Sequence, residues 1–222
     1  MSLEQSITEI VDRLVDWSHF PKYALERRLD IFLTPFLEEF VMGAFKKAGS
    51  TRVNAKLVAP EFPLLARIDL ARRKPKRESK EPSALTVNVD YLLYVIVDGE
   101  PRWLFLELKT DRSSFKKEQL RLYGVARERT MPRLLTDLDA VKGRTAQADK
   151  YLHLQATLAA GFNLSARIQL AYLSPEPREG FPTERTSKDA LPTIFWSFDD
   201  FRAYQPAQHA ELWKALQPLL KR

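Results

Sequence analysis

The stretch that decides the fold is residues 88–123, NVDYLLYVIVDGEPRWLFLELKTDRSSFKKEQLRLY. Two apolar runs, residues 85–97 and 102–108, flank the dipeptide Asp98-Gly99. Asp-Gly between hydrophobic runs favours a two-residue hairpin turn, because both residues accept the positive φ angles that such a turn requires. The sequence therefore predicts a β-strand, a tight turn and a second β-strand.

The predicted hairpin aligns charged side chains from its two strands. A two-residue turn makes Asp90 face Glu107 and makes Asn88 face Lys109. Directly opposed side chains share one face of a sheet, with Cβ atoms roughly 4.5–5.5 Å apart. Because side chains alternate along a strand, Glu107 and Lys109 point to one face and the leucines that flank Glu107 point to the other. A turn longer by one residue would put Asp90 on the wrong face.

Two carboxylates at this distance can hold one divalent cation. Mg²⁺ prefers oxygen ligands and keeps several waters, so Asp90 and Glu107 suffice if a substrate phosphate supplies the rest. A bound cation activates water and offsets charge that develops at phosphorus. Lys109, a compact charge, is a candidate for orienting that water or stabilising the transition state. A Glu-x-Lys triplet alone is common, and the chain has another at residues 78–80 without a strand to present it.

The segment after the hairpin adds an amide and a phenol. Ser113 or Ser114 is a plausible N-cap for a helix predicted from Phe115 to about Arg129. Within it, Gln119 and Tyr123 stand four residues apart and therefore share a helix face. They are candidates for a site that faces the hairpin, although an exposed amide beside a half-buried ring would give the same spacing.

Taken together, Asp90, then Glu107-x-Lys109, then Gln119-x-x-x-Tyr123 resembles the core of the PD-(D/E)xK nuclease superfamily. The Gln-x-x-x-Tyr element resembles the version in RecB-type nucleases. The resemblance implies an α/β fold with a restriction-endonuclease-like core: a helix, a three-stranded antiparallel hairpin sheet, a second helix and a further strand, in a mixed central sheet flanked by helices. It also implies Mg²⁺ or Mn²⁺ on the acidic pair, a catalytic lysine, and a glutamine and tyrosine that position nucleic acid.

The chain departs from the family pattern at two points. Val89 stands where the family has proline, and the family's helix glutamate is not evident. Thr34-Pro35 predicts an N-cap and first helical position for a helix that runs to about Ala48 before Gly49. On that helix Glu38 borders the apolar face and is the better candidate for a further metal ligand. The competing carboxylates are Glu61, in a predicted first strand within residues 56–67, and Glu26 and Asp30, in an earlier helical segment.

A basic segment, ARRKPKRESK at residues 71–80, joins the predicted first strand to the strand of Asp90. Basic side chains bind phosphates largely without regard to sequence, and the affinity falls steeply with salt. We expect a loop that contacts nucleic acid near the metal through Arg72, Arg73, Lys74, Lys76 and Arg77. The positive surface is expected to extend over Arg121, Arg127, Arg129, Arg133 and Lys142.

Composition indicates a folded globule. The 222 residues are 45% hydrophobic and 11% aromatic, with a net charge of +6. We expect one domain over residues 1–222, with a core at about 35–175 and additions at 1–33 and 193–222. The absence of cysteine excludes disulfides and zinc–thiolate sites. No apolar stretch approaches the roughly 18 residues of a membrane span. Since the N-terminus has an amphipathic pattern rather than that of a signal peptide, we expect a cytoplasmic protein without membrane contact.

The remaining segments are expected to form scaffold. Residues 134–160 predict one long helix, or two helices broken near Gly143. Residues 166–174 predict a core strand, 175–192 a surface loop, 193–198 an edge strand and 209–220 a terminal helix. The core candidates in the long helical segment are Leu135, Leu138, Val141, Tyr151, Leu152, Leu154 and Leu158; those in the terminal helix are Leu212, Trp213, Leu216 and Leu220.

The first functional hypothesis is therefore a Mg²⁺-dependent nuclease that hydrolyses phosphodiester bonds in DNA. The alternatives are a catalytically inactive protein of the same fold that binds nucleic acid, and an interaction or structural protein. The sequence leaves open endonuclease or exonuclease action, DNA or RNA, the carboxylate that completes the metal site, and the oligomeric state, with a homodimer among the options.

Overall fold

The computed structural model describes residues 7, 10, 11, 26–65, 86–109, 116–142, 148–175 and 190–220. Its elements, in chain order, are helix α1 (Glu26–Lys47), strands β1 (Val53–Leu65), β2 (Thr86–Val97) and β3 (Glu100–Leu108), helices α2 (Lys117–Arg127), α3 (Met131–Lys142) and α4 (Ala148–Ala159), strands β4 (Arg167–Ser174) and β5 (Ile194–Ser197), helices α5 (Phe198–Ala203) and α6 (Ala210–Leu216), and a 3₁₀-helix (Gln217–Leu220). No described helix has both the length and the apolar character that crossing a bilayer requires.

The five strands form one mixed sheet in the order β1-β2-β3-β4-β5. Strands β1, β2 and β3 are antiparallel neighbours, whereas β4 is parallel to β3 and β5 is parallel to β4. Parallel neighbours need a long crossover, and helices α2, α3 and α4 lie in the connection from β3 to β4. The expected α/β class, with a mixed sheet flanked by helices, is confirmed.

Apolar side chains pack on both faces of the sheet. In the first core layer, α1, α5 and α6 contribute Phe40, Phe201 and Trp213, which pack with Leu93 and Leu106 of the sheet. In the second core layer, helices α2, α3 and α4 cover the other face through Leu120, Tyr123, Leu134, Leu138 and Leu158, together with Leu92, Trp103 and Phe105 of the sheet. The sheet is thus buried on both sides, as β4 shows by its almost continuous burial.

The hairpin turn has the predicted length. Asp98 and Gly99 have φ angles of 52° and 90°, and both are therefore in the left-handed region that a two-residue hairpin turn needs. The carboxylate of Asp98 accepts hydrogen bonds from the backbone N–H groups of Thr51 and Arg52, each at 2.9 Å. The turn is thereby tied to the residues that precede β1.

The register of the hairpin is also as predicted. The paired residues run from Val97–Glu100 at the turn to Tyr91–Leu106. Leu106 and Leu108 belong to the first core layer, whereas Glu107 contacts α2 on the other face. The predicted separation of the leucines from the charged face is confirmed.

The predicted helix start at Thr34-Pro35 is wrong. Helix α1 is continuous from Glu26 to Lys47, with Pro35 inside it. Proline lacks the N–H that would bond to the carbonyl four residues earlier, that of Ile31. The hydroxyl of Thr34 donates to this carbonyl at 2.7 Å, so the acceptor is satisfied from within the helix rather than at a cap. The predicted end is confirmed, because Gly49 follows the helix with a φ of 103°.

The start of helix α2 also differs from the prediction. The helix begins at Lys117, after Lys116 with extended backbone, and ends at Arg127 rather than near Arg129. The two serines predicted as N-caps lie outside the described residues.

The C-terminal half follows the predicted elements. Helices α3 and α4 are separate, as the hydrogen bond from Gln155 Nε2 of α4 to the carbonyl of Leu135 in α3 shows. Gly143, where the break was expected, lies outside the described residues. Leu152 was expected in the core but is 49% exposed, since it lies on the outer face of α4. The predicted edge strand and terminal helix are confirmed as β5 and α6. The short helix α5 was not predicted. It begins with a capping box between Ser197 and Asp200, and its six residues are too few to show a helical period.

Candidate functional site

The charged residues of the hairpin meet where β2 and β3 diverge. Just beyond the last paired residues, the N–H of Leu108 donates to Asp90 Oδ2 at 2.7 Å. The N–H of Asp90 lies 3.4 Å from Glu107 Oε2. Strand β3 continues alongside β4, with the N–H of Lys109 donating to the carbonyl of Leu173 at 2.9 Å. Asp90 therefore links β2 to β3 twice, through its carboxylate at Leu108 and through its N–H beside Glu107.

Glu107 is a buried carboxylate paired with a buried lysine. Glu107 is 2% exposed and Lys109 is 4% exposed. Lys109 Nζ lies 2.6 Å from Glu107 Oε1, and Gln119 Nε2 donates to the same oxygen at 2.7 Å. The hydroxyl of Tyr123 donates to Glu107 Oε2 at 2.7 Å. The predicted common face of Glu107 and Lys109 is confirmed, and α2 meets that face.

Gln119 and Tyr123 complete a ring of hydrogen bonds around Glu107. Gln119 Nε2 also donates to the hydroxyl oxygen of Tyr123 at 2.6 Å, while Gln119 Oε1 accepts from Lys109 Nζ at 3.3 Å. The opposite amide orientation would point an NH₂ group at an ammonium, so the network fixes the orientation of the glutamine. Because the Tyr123 hydroxyl has one hydrogen, its donation to Glu107 competes with donation to the carbonyl of Asn88 at 2.8 Å.

Burial shifts the pKa values of Glu107 and Tyr123. Loss of water raises the pKa of Glu107, and the adjacent Lys109 partly opposes that rise. Burial also raises the pKa of Tyr123, and the negative charge of Glu107 raises it further. Tyr123 therefore stays a neutral phenol that can donate to the carboxylate.

Glu38, the first candidate for a further metal ligand, is occupied by the backbone of β1. Its Oε1 accepts the N–H of Leu57 at 2.7 Å. Leu57 lies at a β-bulge, where the pairing of β1 with β2 shifts by one residue before Ala59. A bulge leaves backbone groups without a ladder partner, and Glu38 satisfies one of them. A metal-binding role for Glu38 stays a prediction.

Glu61 lies across from Asp90. Pro60 pairs with Tyr91 and Phe62 pairs with Val89, so Glu61 and Asp90 are the intervening positions of β1 and β2. Glu61 has a φ of 49° and is exposed. Among the residues that the structure describes, no three His, Asp or Glu side chains come together as metal ligands. The side chains of Glu26 and Asp30, in the first turns of α1, lie outside the described part.

The basic residues divide into two groups. The predicted phosphate-binding segment at 71–80, with Arg72, Arg73, Lys74, Lys76 and Arg77, lies outside the described residues. Arg127 was expected on the surface, but it is 5% exposed and its Nη1 donates to Thr193 Oγ1 at 2.7 Å, because α2 packs against the sheet here. Three of the other basic residues are paired with acids: Arg121 with Glu118, Arg129 with Asp137, and Lys142 with Asp139.

Main-chain atoms at the site could not have been found from the sequence. The N–H of Leu108 and the carbonyl of Asn88 hold Asp90 and Tyr123, respectively. Every residue has these backbone groups, so only their position in the fold selects them.

Comparison of the chain with protein-family models, with curated proteins and with solved structures gave no match.

Proposed function

We propose that the chain is a divalent-metal-dependent nuclease that hydrolyses phosphodiester bonds in DNA, built on a restriction-endonuclease-like core. The observation that carries the proposal is the adjacency of Asp90 and Glu107, with Lys109 on Glu107 and with α2 supporting the group. The order of α1, the antiparallel strands β1–β3, α2 and the parallel strand β4 follows the order that the resemblance implies, with α3 and α4 added between α2 and β4. Both arguments are independent of the composition of the chain.

The donor atoms at the site suit Mg²⁺ or Mn²⁺. Asp90 and Glu107 offer carboxylate oxygens, and the described residues that bond to them offer neither thiolate nor imidazole. Oxygen ligands favour these cations over zinc, and Mg²⁺ needs only one or two carboxylates because it keeps waters. When bound, the cation would activate water for attack on phosphorus and offset the charge that develops there.

The residues of the chain have separate roles in this proposal. Asp90 and Glu107 hold the cation, and Lys109 supplies a positive charge for the developing charge on the phosphate. The basic segment at 71–80 holds the DNA backbone and is proposed as the source of salt-dependent binding. The segment lies between β1 and β2 in the chain, and β2 carries Asp90.

The test is cleavage of single- and double-stranded DNA with Mn²⁺ or Mg²⁺. We expect Glu107→Ala and Lys109→Ala each to lower the cleavage rate by about 100-fold or more, since each removes charge stabilisation at the reacting phosphate. Lys214→Ala is the matched control, because Lys214 is exposed on α6 in the layer on the opposite face of the sheet. Folding of each variant is checked by circular dichroism. Equal rates in the wild type and both site variants would overturn the assignment.

A second candidate is a DNA-binding protein of the same fold without catalysis. It is favoured by the Lys109–Glu107 ion pair, which already balances the buried carboxylate without a cation. DNA binding that weakens with salt but does not respond to divalent cations would support this candidate over the nuclease.

A further inference from the structure

The ion pair at Glu107 bears on how a cation could enter the site. We propose that Lys109 is an internal counter-ion that a divalent cation must displace from Glu107, and that Gln119 and Tyr123 are positioning residues that hold the carboxylate during the exchange. The inference rests on the proposed function only in that a divalent cation binds at Asp90 and Glu107.

Lys109 and a divalent cation would compete for the carboxylate of Glu107. Lys109 Nζ lies 2.6 Å from Glu107 Oε1 in a position almost without solvent. A cation on the same carboxylate would bring a second positive charge close to the ammonium, where little water screens the repulsion. The two cations therefore exclude each other from Glu107, and the free energy of the ion pair is subtracted from the binding of the metal.

The carboxylate itself can stay in place during the exchange. Tyr123 donates to Oε2 and Gln119 donates to Oε1, and both residues stand on one face of α2. The Tyr123 ring is 1% exposed and packs in the second core layer, so its hydroxyl is held by the core. Hydrogen bonds of this kind orient metal-binding side chains, and their loss commonly lowers metal affinity by about 10–100-fold.

Lys109 has an acceptor to move toward. Gln119 Oε1 accepts from Lys109 Nζ at 3.3 Å, beside the shorter contact of the ammonium with Glu107. The four-carbon stem of lysine lets the ammonium shift while the backbone of Lys109 stays bonded to Leu173. Gln119 thus holds the carboxylate through its nitrogen and can receive the displaced lysine through its oxygen.

The experiment measures Mn²⁺ affinity by titration calorimetry on the full chain without DNA, at pH 8, where a proton competes least for Glu107. Lys109→Met is expected to bind Mn²⁺ at least about tenfold more tightly than the wild type, since the competing charge is gone. Tyr123→Phe is expected to bind about tenfold or more weakly, since the carboxylate loses a positioning donor. A purely structural role of the two residues would weaken binding in both variants.

Two controls separate local from general effects. Lys116→Met removes an exposed charge just before α2, and Tyr94→Phe removes a hydroxyl at the other end of β2. Both are expected to bind Mn²⁺ within about twofold of the wild type, because neither touches Glu107. Thermal unfolding without metal verifies that each variant is folded, and Lys109→Gln replaces Lys109→Met if the latter does not fold.

The outcomes distinguish this inference from the proposed function. Unchanged or weaker Mn²⁺ binding in a folded Lys109 variant overturns the exchange, and unchanged binding in Tyr123→Phe overturns the positioning role. Absence of Mn²⁺ binding in the wild type and in the Lys109 variants overturns the exchange as well. The predicted affinity changes without any DNA cleavage would leave the inference standing and contradict the nuclease.

Discussion

Glu107 is charged only at a cost that its neighbours offset in part. Desolvation is the largest influence on its pKa and outweighs the favourable effects of Lys109 and Tyr123, so the folded protein holds its proton more tightly than the unfolded chain. A raised pKa in the folded state means that this contribution to stability is fully present below the usual glutamate pKa of 4.5 and is lost as the pH rises through the folded pKa. Keeping Glu107 buried and charged beside Asp90 therefore lowers the stability of the protein at neutral pH.

Asp98 has the opposite linkage. Hydrogen bonds from the N–H of Arg52 and from Thr51 lower its pKa below the usual aspartate value of 3.8. Its contribution is therefore present above pH 3.8 and is lost as the pH falls through the lower, folded pKa. We expect Asp98→Asn, which tolerates the same positive φ, to be less stable than the wild type at pH 6 and to approach it in stability at low pH. Urea unfolding of both proteins at pH 6 and pH 2.5 checks this. A difference that is constant with pH would contradict it.

At the scale of elements, replacing glycine should have opposite effects on stability in the hairpin turn and in helix α1. Gly99 has a φ of 90° and Gly43 lies within α1, and at neither position would an added Cβ meet an atom within 4 Å. Gly99→Ala is expected to lower the free energy of unfolding by about 1–2 kcal/mol, because only backbone strain opposes the methyl group.

Gly43→Ala, the matched control, is expected to raise the free energy of unfolding by about 0.5–1 kcal/mol, because alanine loses less backbone entropy in a helix. Denaturant unfolding of both variants gives the two signs. A loss of stability in both would mean that side-chain crowding, and not backbone conformation, decides the effect.

At the scale of the whole molecule, the site faces one core layer and the terminal helices build the other. Trp213 of α6 is 3% exposed, and its ring lies 4.9 Å from the rings of Phe36 and of Phe201. Trp213→Ala is expected to lower the free energy of unfolding by about 3–5 kcal/mol through the cavity that it leaves.

Because the sheet separates this layer from the face of Glu107, the Mn²⁺ affinity of folded Trp213→Ala should remain within about twofold of the wild type. Chemical unfolding and titration calorimetry at a temperature where the variant is folded measure the two effects. A large loss of affinity in the folded variant would show that the two layers are coupled through the sheet.

Local signals predicted the elements well where one residue type decides the backbone. Asp98-Gly99 fixed the turn and hence the register of β2 and β3, since only residues that tolerate positive φ form such a turn. Thr34-Pro35 led to a wrong prediction because the same dipeptide can start a helix or lie inside one. Inside α1, the threonine hydroxyl bonds to the carbonyl for which proline has no N–H. The choice depends on Leu33, Phe36 and Leu37, which α1 buries in the first core layer.

The sequence by itself determined which side chains share a face: Glu107 with Lys109 by strand alternation, and Gln119 with Tyr123 by the helical repeat. Only the tertiary structure decided that α2 would lie over the end of the hairpin and close its hydrogen bonds on Glu107. It also decided that Glu38 would bond to a bulge in β1. The physical reason is that periodicity is set by neighbouring backbone geometry, whereas contacts between elements depend on how the two core layers pack as a whole.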